Sequence, residues 1–290
     1  MNDYQTNILE APLVNSIEEI LDCYRSGTSG KINGNLIFQP ELLKWNASYL
    51  ENKYPQKKIS IHNNFNVKTD TFDYSKVLLG ALISNLEKIE SLRIATMPSS
   101  ERRELYGVMN AKRILNIEFI KDEFRENFRH SFSFLWVGLS PGGLHCDYFD
   151  NILLQTSGEK LIRVFPATVS DQISKHHYVT MPDSLNLFSG LNREKYDWLN
   201  TLPYYEILLK AGDAAIIPSA AYHAPMALTK DSVSINSFFT PKGYSNFSSA
   251  YARKEDKYPW WVTNLSIGAS KLIFRLTGRV ILHTGHYEVI

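Results

Sequence analysis

The 290 residues predict a mainly β protein, a barrel or sandwich of short strands flanked by segments of other character. Three observations carry that prediction. Between Ser133 and Phe239 the chain runs through short stretches of aromatic and β-branched residues, which suit a pleated, half-buried surface. Gly, Pro and Asp stand between those stretches, where turns are needed. His145, Asp147 and His223 fall inside the same region, distant in sequence, where a closed β architecture can make them converge.

In chain order, the first predicted element is a helix entered through Ser16, with Glu19 three residues on as the second half of a capping box. Ser26 to Asn35, punctuated by Gly27, Gly30 and Gly34, reads as a loop. A helix is predicted from Glu41 to about Lys53, then a strand over Lys58–Ile61. A second helix is predicted from Asp73 to about Leu92, where Val77, Ala81 and Leu82 are spaced for one face. Residues 1–130 are therefore an N-terminal α/β elaboration expected to pack on the barrel.

The barrel itself is assigned to residues 131–245. Ser133–Gly138 is its first strand, Leu139–Gly143 a turn, and Lys160–Pro166 another strand; Leu208–Pro218 and Ser232–Phe239 supply the rest. Asp213, after Ala211 and Gly212, reads as a turn residue. Over 246–290, an apolar stripe from Trp260 to Ile281 lies close to helical spacing, interrupted by Gly268 and Gly278. It reads as C-terminal helices covering an open face of the barrel.

The chemistry is concentrated in His145-Cys146-Asp147, followed 76 residues later by His223. In a strand, residues i and i+2 project to one side, so His145 and Asp147 can point at a single metal while Cys146 points away. Two imidazoles and one carboxylate on one face of a metal leave the remaining positions open, which is what a non-haem Fe(II) centre uses for oxygen and a co-substrate. A third ligand then has to come from a distant strand brought alongside by the fold, and His223, at the end of the run from Ile217, is the candidate. His176-His177 is a weaker pair: adjacent strand residues face opposite ways, and the segment reads as a loop.

Composition bounds the partners. Lys plus Arg number 31 against 30 Asp plus Glu, so no overall field draws the chain to nucleic acid or an acidic membrane. Lys57-Lys58 and Arg102-Arg103 are too short to form a basic patch. Two cysteines, Cys23 and Cys146, make no disulfide framework and point to a reducing compartment, which also suits Fe(II). Met1 to Glu10 lacks the basic start and apolar core of a signal peptide, and no run is long enough to span a bilayer. The expectation is a cytoplasmic protein with neither nucleic-acid nor membrane partner.

From about Phe132 to Lys242 the chain resembles the cupin-like Jumonji-C oxygenases, in particular the branch containing the asparaginyl hydroxylase that acts on hypoxia-inducible factor. The resemblance rests on Leu135-Trp136-Val137-Gly138, a turn, His145-x-Asp147, Asn151, Gly158-Glu159-Lys160, Phe165-Pro166, Ala211-Gly212-Asp213, Ile217-Pro218, His223 and Ser234-Ile235-Asn236, in order and at comparable spacing. It implies a double-stranded β-helix, the cupin or jelly-roll core. It implies an Fe(II)- and 2-oxoglutarate-dependent oxygenase that consumes O2, with His145, Asp147 and His223 as the metal ligands. Lys160 would pair with the far carboxylate of 2-oxoglutarate, a charge-assisted contact of the stronger kind. Asn151 and Asn236 would be the family's amides near metal and co-substrate.

The implied reaction is hydroxylation of an amino-acid side chain in a peptide, a protein or a free amino acid. Tyr178, Tyr196, Trp198, Tyr204 and Tyr205, in the insert over 167–205, are candidates for a substrate groove, with packing as the plainer role. Related hydroxylases dimerise through C-terminal helices, so a homodimer through 246–290 is a second reading of the apolar stripe. One position departs from the pattern: where the branch places a Thr that contacts 2-oxoglutarate, three residues before the first His, this chain has Gly142, which offers no hydroxyl. Tyr148 and Ser140 are nearby substitutes. That departure keeps two other functions open, a metal-dependent cupin isomerase or dioxygenase that does not use 2-oxoglutarate, and a non-catalytic cupin-fold binding protein.

Overall fold

A computed structural model of the chain describes residues 7–66, 71–86, 106–110, 119–138, 144–147, 150–174, 180–181, 197–241, 280–281 and 288–289. The N-terminal part contributes strands β1 (Ile8–Leu9) and β2 (Leu13–Val14), helix α1 (Ile17–Ser26), β3 (Gly30–Asn33), α2 (Ala47–Lys53), β4 (Lys58–Asn66), β5 (Thr71–Leu78), α3 (Leu79–Leu86), β6 (Tyr106–Asn110) and α4 (Asp122–Asn127). Then follow β7 (Phe128–Gly138), β8 (Leu144–His145), β9 (Asp150–Ser157), β10 (Lys160–Val164), α5 (Ser170–Ser174), β11 (Thr180–Met181), β12 (Tyr204–Leu209), β13 (Asp213–Ile217), β14 (His223–Ala227) and β15 (Val233–Pro241).

Two sheets face one another. The larger runs β2-β3-β13-β9-β15-β7-β6-β4-β5 and the smaller β1-β12-β10-β14-β8-β11. From β7 onward the chain passes repeatedly between them: β7, β9, β13 and β15 join the larger sheet, β8, β10, β12 and β14 the smaller. This is the double-stranded β-helix, or jelly roll, that the sequence predicts, a mainly β core with helices outside it.

Strand alternation sorts the apolar residues into three layers. Leu153, Ala215 and Ile217 of the larger sheet meet Ile162, Val164, Ile207 and Leu209 of the smaller inside the barrel. The opposite face of the larger sheet, with Ile152, Leu154, Ile216 and Ile235, packs on Ile20 and Tyr24 of α1 and on Trp45 and Leu50. The outer face of the smaller sheet is covered by Val169, Ile173, Leu199 and Leu202. The N-terminal elaboration is thus joined to the core through β3, β4, β5 and β6 in the larger sheet, as well as through helix packing.

Local rules explain most element ends. Ser16 Oγ accepts from the Glu19 amide at 3.2 Å, and Glu19 Oε2 accepts from the Asn15 amide at 2.8 Å, so α1 has its predicted cap with the return bond one residue further out. Gly27, left-handed at φ 70°, closes the helix with its amide on the Cys23 carbonyl.

Four local expectations are corrected. Within the predicted loop Ser26–Asn35, Gly30–Asn33 is strand β3, because pairing with β13 and the Lys31–Asp213 ion pair at 2.7 Å outweigh the turn composition. The helix predicted from Glu41 to Lys53 breaks at buried Trp45, since Asn46 accepts from the Tyr49 amide at 2.8 Å and caps a new helix, α2. The helix predicted from Asp73 begins only at Leu79: Thr71–Leu78 pairs with β4 instead, and the residues after Leu86 in that prediction lie outside the described ones. Val280–Ile281, predicted as helix, pairs with Glu288–Val289 as strand. The remainder of the C-terminal stripe, and the dimer surface read from it, lie outside the described residues. Both cysteines are buried, and neither forms a disulfide among the described residues. No described helix is long and apolar enough to cross a membrane.

Candidate metal centre

Three strand positions build the centre. His145 ends β8 directly opposite His223, the first residue of β14, and the two imidazole centroids are 4.3 Å apart. Asp147 lies just past the end of β8, and Cys146 between them is buried in the layer outside the smaller sheet, as i, i+2 alternation requires. His223 Nε2 stands 3.5 Å from Asp147 Oδ2. One ligand atom from each of His145, Asp147 and His223 falls within 4.8 Å of the others. Two nitrogens and one oxygen, with His223 buried and the other two half-buried, form the donor set. That set fits Fe(II) with positions left for other ligands.

Asp147 and His223 are each oriented by a neighbour. Asn151 Nδ2 donates to Asp147 Oδ2 at 2.6 Å, fixing the carboxylate. His223 Nδ1 lies 3.0 Å from the Ala221 carbonyl; a carbonyl only accepts, so Nδ1 carries the proton and the Nε2 lone pair faces Asp147. Burial, reinforced by the adjacent His145, pushes the His223 imidazole down to about 4, with Asp147 and the Ala221 carbonyl pulling the other way. The ring is therefore neutral near pH 7, as a metal ligand must be.

The loop that delivers His223 is tied to the strand segment that carries Asp147. The Ala220 amide donates to the Asp147 carbonyl at 2.8 Å. The Ser219 amide donates to Asp150 Oδ1 at 2.8 Å, and Ser170 Oγ donates to the Ala220 carbonyl at 2.5 Å. Ala220 is left-handed at φ 66°, the one non-glycine among the described residues with positive φ. Burial pushes the Asp150 carboxyl up to about 7, against the lowering effect of its bonds from Ser219.

Lys160 projects from the same barrel wall. In the β10–β14 ladder Val164 faces His223 and Lys160 faces Ala227, so Lys160 shares the inward face with Val164 at four residues, about 13 Å of strand, from the His223 level. Its side chain is 3 % exposed, and its ammonium donates to Ser234 Oγ at 2.5 Å. Among the described residues it has no carboxylate partner. Burial pushes its pKa down to about 7. An uncompensated cation in a barrel interior is costly, and an anionic ligand is what would relieve it.

Of the residues singled out in the sequence, the structure brings His145, Asp147 and His223 together, sets Asn151 against Asp147, and places Lys160 in the barrel wall. Asn236 lies on β15 two residues beyond Ser234, on the same strand face; its buried Oδ1 has no partner, and it makes no bond to the triad. Tyr204 and Tyr205 are both buried, in the outer and inner layers respectively, and Tyr204 stacks under Arg163 at 4.5 Å. Trp198 packs half-buried on the outer layer. Gly142, Ser140, Tyr148, Tyr178, Tyr196 and His176-His177 lie outside the described residues. Sequence reasoning missed Asp150, Ser219, Ala220 and the pairing of Ser234 with Lys160. A lone acid at the head of an apolar strand was a usable signal for Asp150; a left-handed alanine has none.

No protein in the curated collection of characterised sequences matches the chain. Residues 32–245 match the family model of the cupin-like domain, which covers more than half of the sequence and most of both sheets, and the chain belongs to that family.

Proposed function

We propose that this protein is an Fe(II)- and 2-oxoglutarate-dependent oxygenase that hydroxylates an amino-acid side chain in a peptide, a protein or a free amino acid. The observation that carries the reading is the pairing of two features in one barrel: a triad of two imidazoles and a carboxylate, and a buried lysine with no acidic partner among the described residues. A cupin that bound a metal alone would gain nothing from burying Lys160. The likeness to the asparaginyl hydroxylase branch, resting on His145-x-Asp147, Asn151, Lys160 and Asn236, supports the same reading and favours hydroxylation.

His145, Asp147 and His223 would hold the metal through Nε2-type and carboxylate donors on one side, leaving the opposite side for co-substrate and oxygen. When bound, the iron, 2-oxoglutarate and O2 supply an oxidative decarboxylation that yields succinate, carbon dioxide and one hydroxylated C–H bond. The protein's own share is orientation and electrostatics. Asn151 keeps Asp147 Oδ2 turned inward, and the Ala221 carbonyl keeps the proton of His223 on Nδ1. Lys160 would fix the far carboxylate of 2-oxoglutarate and so its angle of approach.

The test is turnover of 2-oxoglutarate labelled at its C1 carboxylate, with and without candidate peptides. Labelled carbon dioxide released in step with succinate, and lost in His145→Ala, is the expected outcome. Fe(II) binding without any succinate would move the assignment to a cupin enzyme that does not use 2-oxoglutarate.

A further inference from the structure

Lys160 and Ser234 meet across the two sheets, Lys160 from β10 of the smaller and Ser234 from β15 of the larger. Both are inaccessible, at 3 % and 0 % exposure. The contact between them leaves donors to spare. A lysine ammonium has three N–H donors and no acceptor, while a serine hydroxyl has one donor and two lone pairs. The Nζ–Ser234 Oγ bond at 2.5 Å uses one ammonium donor and one serine lone pair. Among the described residues, nothing accepts the Ser234 hydroxyl proton or the other two N–H groups. Gln155 is directly across the ladder from Ser234, yet its Nε2 is committed to the Ser157 carbonyl and Ser232 Oγ, and its Oε1 has no partner. So Gln155 does not take the serine proton. A buried excess of three donors on two adjacent groups is a carboxylate-shaped demand.

Resting on the oxygenase reading above, we propose that Ser234 is a binding residue for the far carboxylate of 2-oxoglutarate, its hydroxyl oriented by Lys160 so that the O–H and the ammonium grip that carboxylate together. The hydroxyl comes from β15 because position 142, a glycine, has none to give. Lysine accounts for the charge; the serine adds direction. With one lone pair held by Nζ, the O–H is left to donate to a bound carboxylate. Ser234 therefore selects a keto acid that carries a second carboxylate over one that lacks it, by a contact made only to that carboxylate.

The experiment compares 2-oxoglutarate with 2-oxobutyrate, which keeps the keto-acid end and lacks the far carboxylate. Dissociation constants are measured by anaerobic calorimetry on Fe(II)-loaded protein for wild type, Ser234→Ala, Ser234→Thr and Lys160→Met, with melting temperatures alongside. Ser234→Ala is expected to weaken 2-oxoglutarate about 10- to 100-fold, the loss of a hydrogen bond to a charged group, and to leave 2-oxobutyrate within about threefold. Ser234→Thr should retain 2-oxoglutarate binding. Loss of both ligands equally in Ser234→Ala would mean a packing role and overturn the assignment. Unchanged 2-oxoglutarate binding in Ser234→Ala, with loss in Lys160→Met, would also overturn it while leaving the oxygenase reading intact. Wild type that does not prefer 2-oxoglutarate over 2-oxobutyrate would remove the reading itself, and the role of Ser234 with it.

Discussion

The Ala220 amide donates to the carbonyl of Asp147 at 2.8 Å, and Ala220 holds a left-handed backbone, φ 66°, to do so. One bond thus joins the loop that carries His223 to the segment that carries Asp147. A non-glycine in this region costs about 1–2 kcal/mol, so the surrounding bonds from Ser170 and to Asp147 must hold it there. Ala220→Val adds a β-branched side chain to a conformation that already disfavours alanine. Urea unfolding should show it about 1–3 kcal/mol less stable than wild type, with weaker metal binding, while Ala220→Gly stays within about 1 kcal/mol.

Asn151 is the only described group that donates a hydrogen bond to Asp147 Oδ2. Removing such an orienting partner lowers metal affinity by about 10- to 100-fold in other sites. Asn151→Ala should show a loss of that size in a chelator competition with Co(II). Asn151→Asp places a second carboxylate against the first, so its effect on melting temperature in metal-free protein should be the larger of the two. Equal metal affinity in wild type and Asn151→Ala would remove this residue from the centre.

Lys160 makes stability depend on pH. Its pKa is about 7 in the folded state, below the ordinary 10.5, so between those values the unfolded chain binds a proton that the folded chain does not. Stability then rises as pH climbs from about 7 to 10.5, and the full penalty of burying the charge is present below pH 7. Lys160→Met should be more stable than wild type by about 1–3 kcal/mol at pH 7, with the advantage shrinking toward pH 10.5. Denaturation curves across that range decide it; parallel curves for the two proteins would show that the lysine is not buried as a charge. The variant that gains stability is the one expected to lose 2-oxoglutarate.

Gly158 sets where β10 begins. It is left-handed at φ 66°, and a Cβ there would collide with Thr229 Oγ1 and come within 3.0 Å of Asp231 Oδ1 and the Ser232 backbone. Thr229 Oγ1 also accepts from the Glu159 amide at 3.1 Å, so the side chain cannot swing away without releasing a bond. Gly158→Ala should cost more than about 2 kcal/mol in chemical denaturation. Because Lys160 follows two residues later, the variant should also weaken 2-oxoglutarate binding in folded protein. A fully stable Gly158→Ala would contradict the turn geometry.

What the sequence made legible is what is encoded in local pattern. Short aromatic and β-branched runs between Gly and Pro turns announced the barrel, and i, i+2 alternation placed His145 and Asp147 on one side with Cys146 on the other. His223 was readable as the second imidazole that a His-x-Asp pair needs to complete a metal site. Pairing partners are not written locally, which is why Gly30–Asn33 looked like a loop and Thr71–Leu78 like part of a helix. Each becomes a strand only through a neighbour distant in sequence. The same limit hid the bond between Lys160 and Ser234, which are 74 residues apart and in different sheets. Ala220 was invisible for a different reason, since nothing in an alanine's chemistry signals a left-handed backbone.

Anaerobic titration of 2-oxoglutarate into Fe(II)-loaded protein, following the visible charge-transfer band, tests the metal triad and Lys160 together. A saturable band is expected in wild type, no band in His145→Ala, and a need for far more ligand in Lys160→Met. Iron that binds to the wild-type triad yet gives no band at any concentration of 2-oxoglutarate would contradict the oxygenase reading.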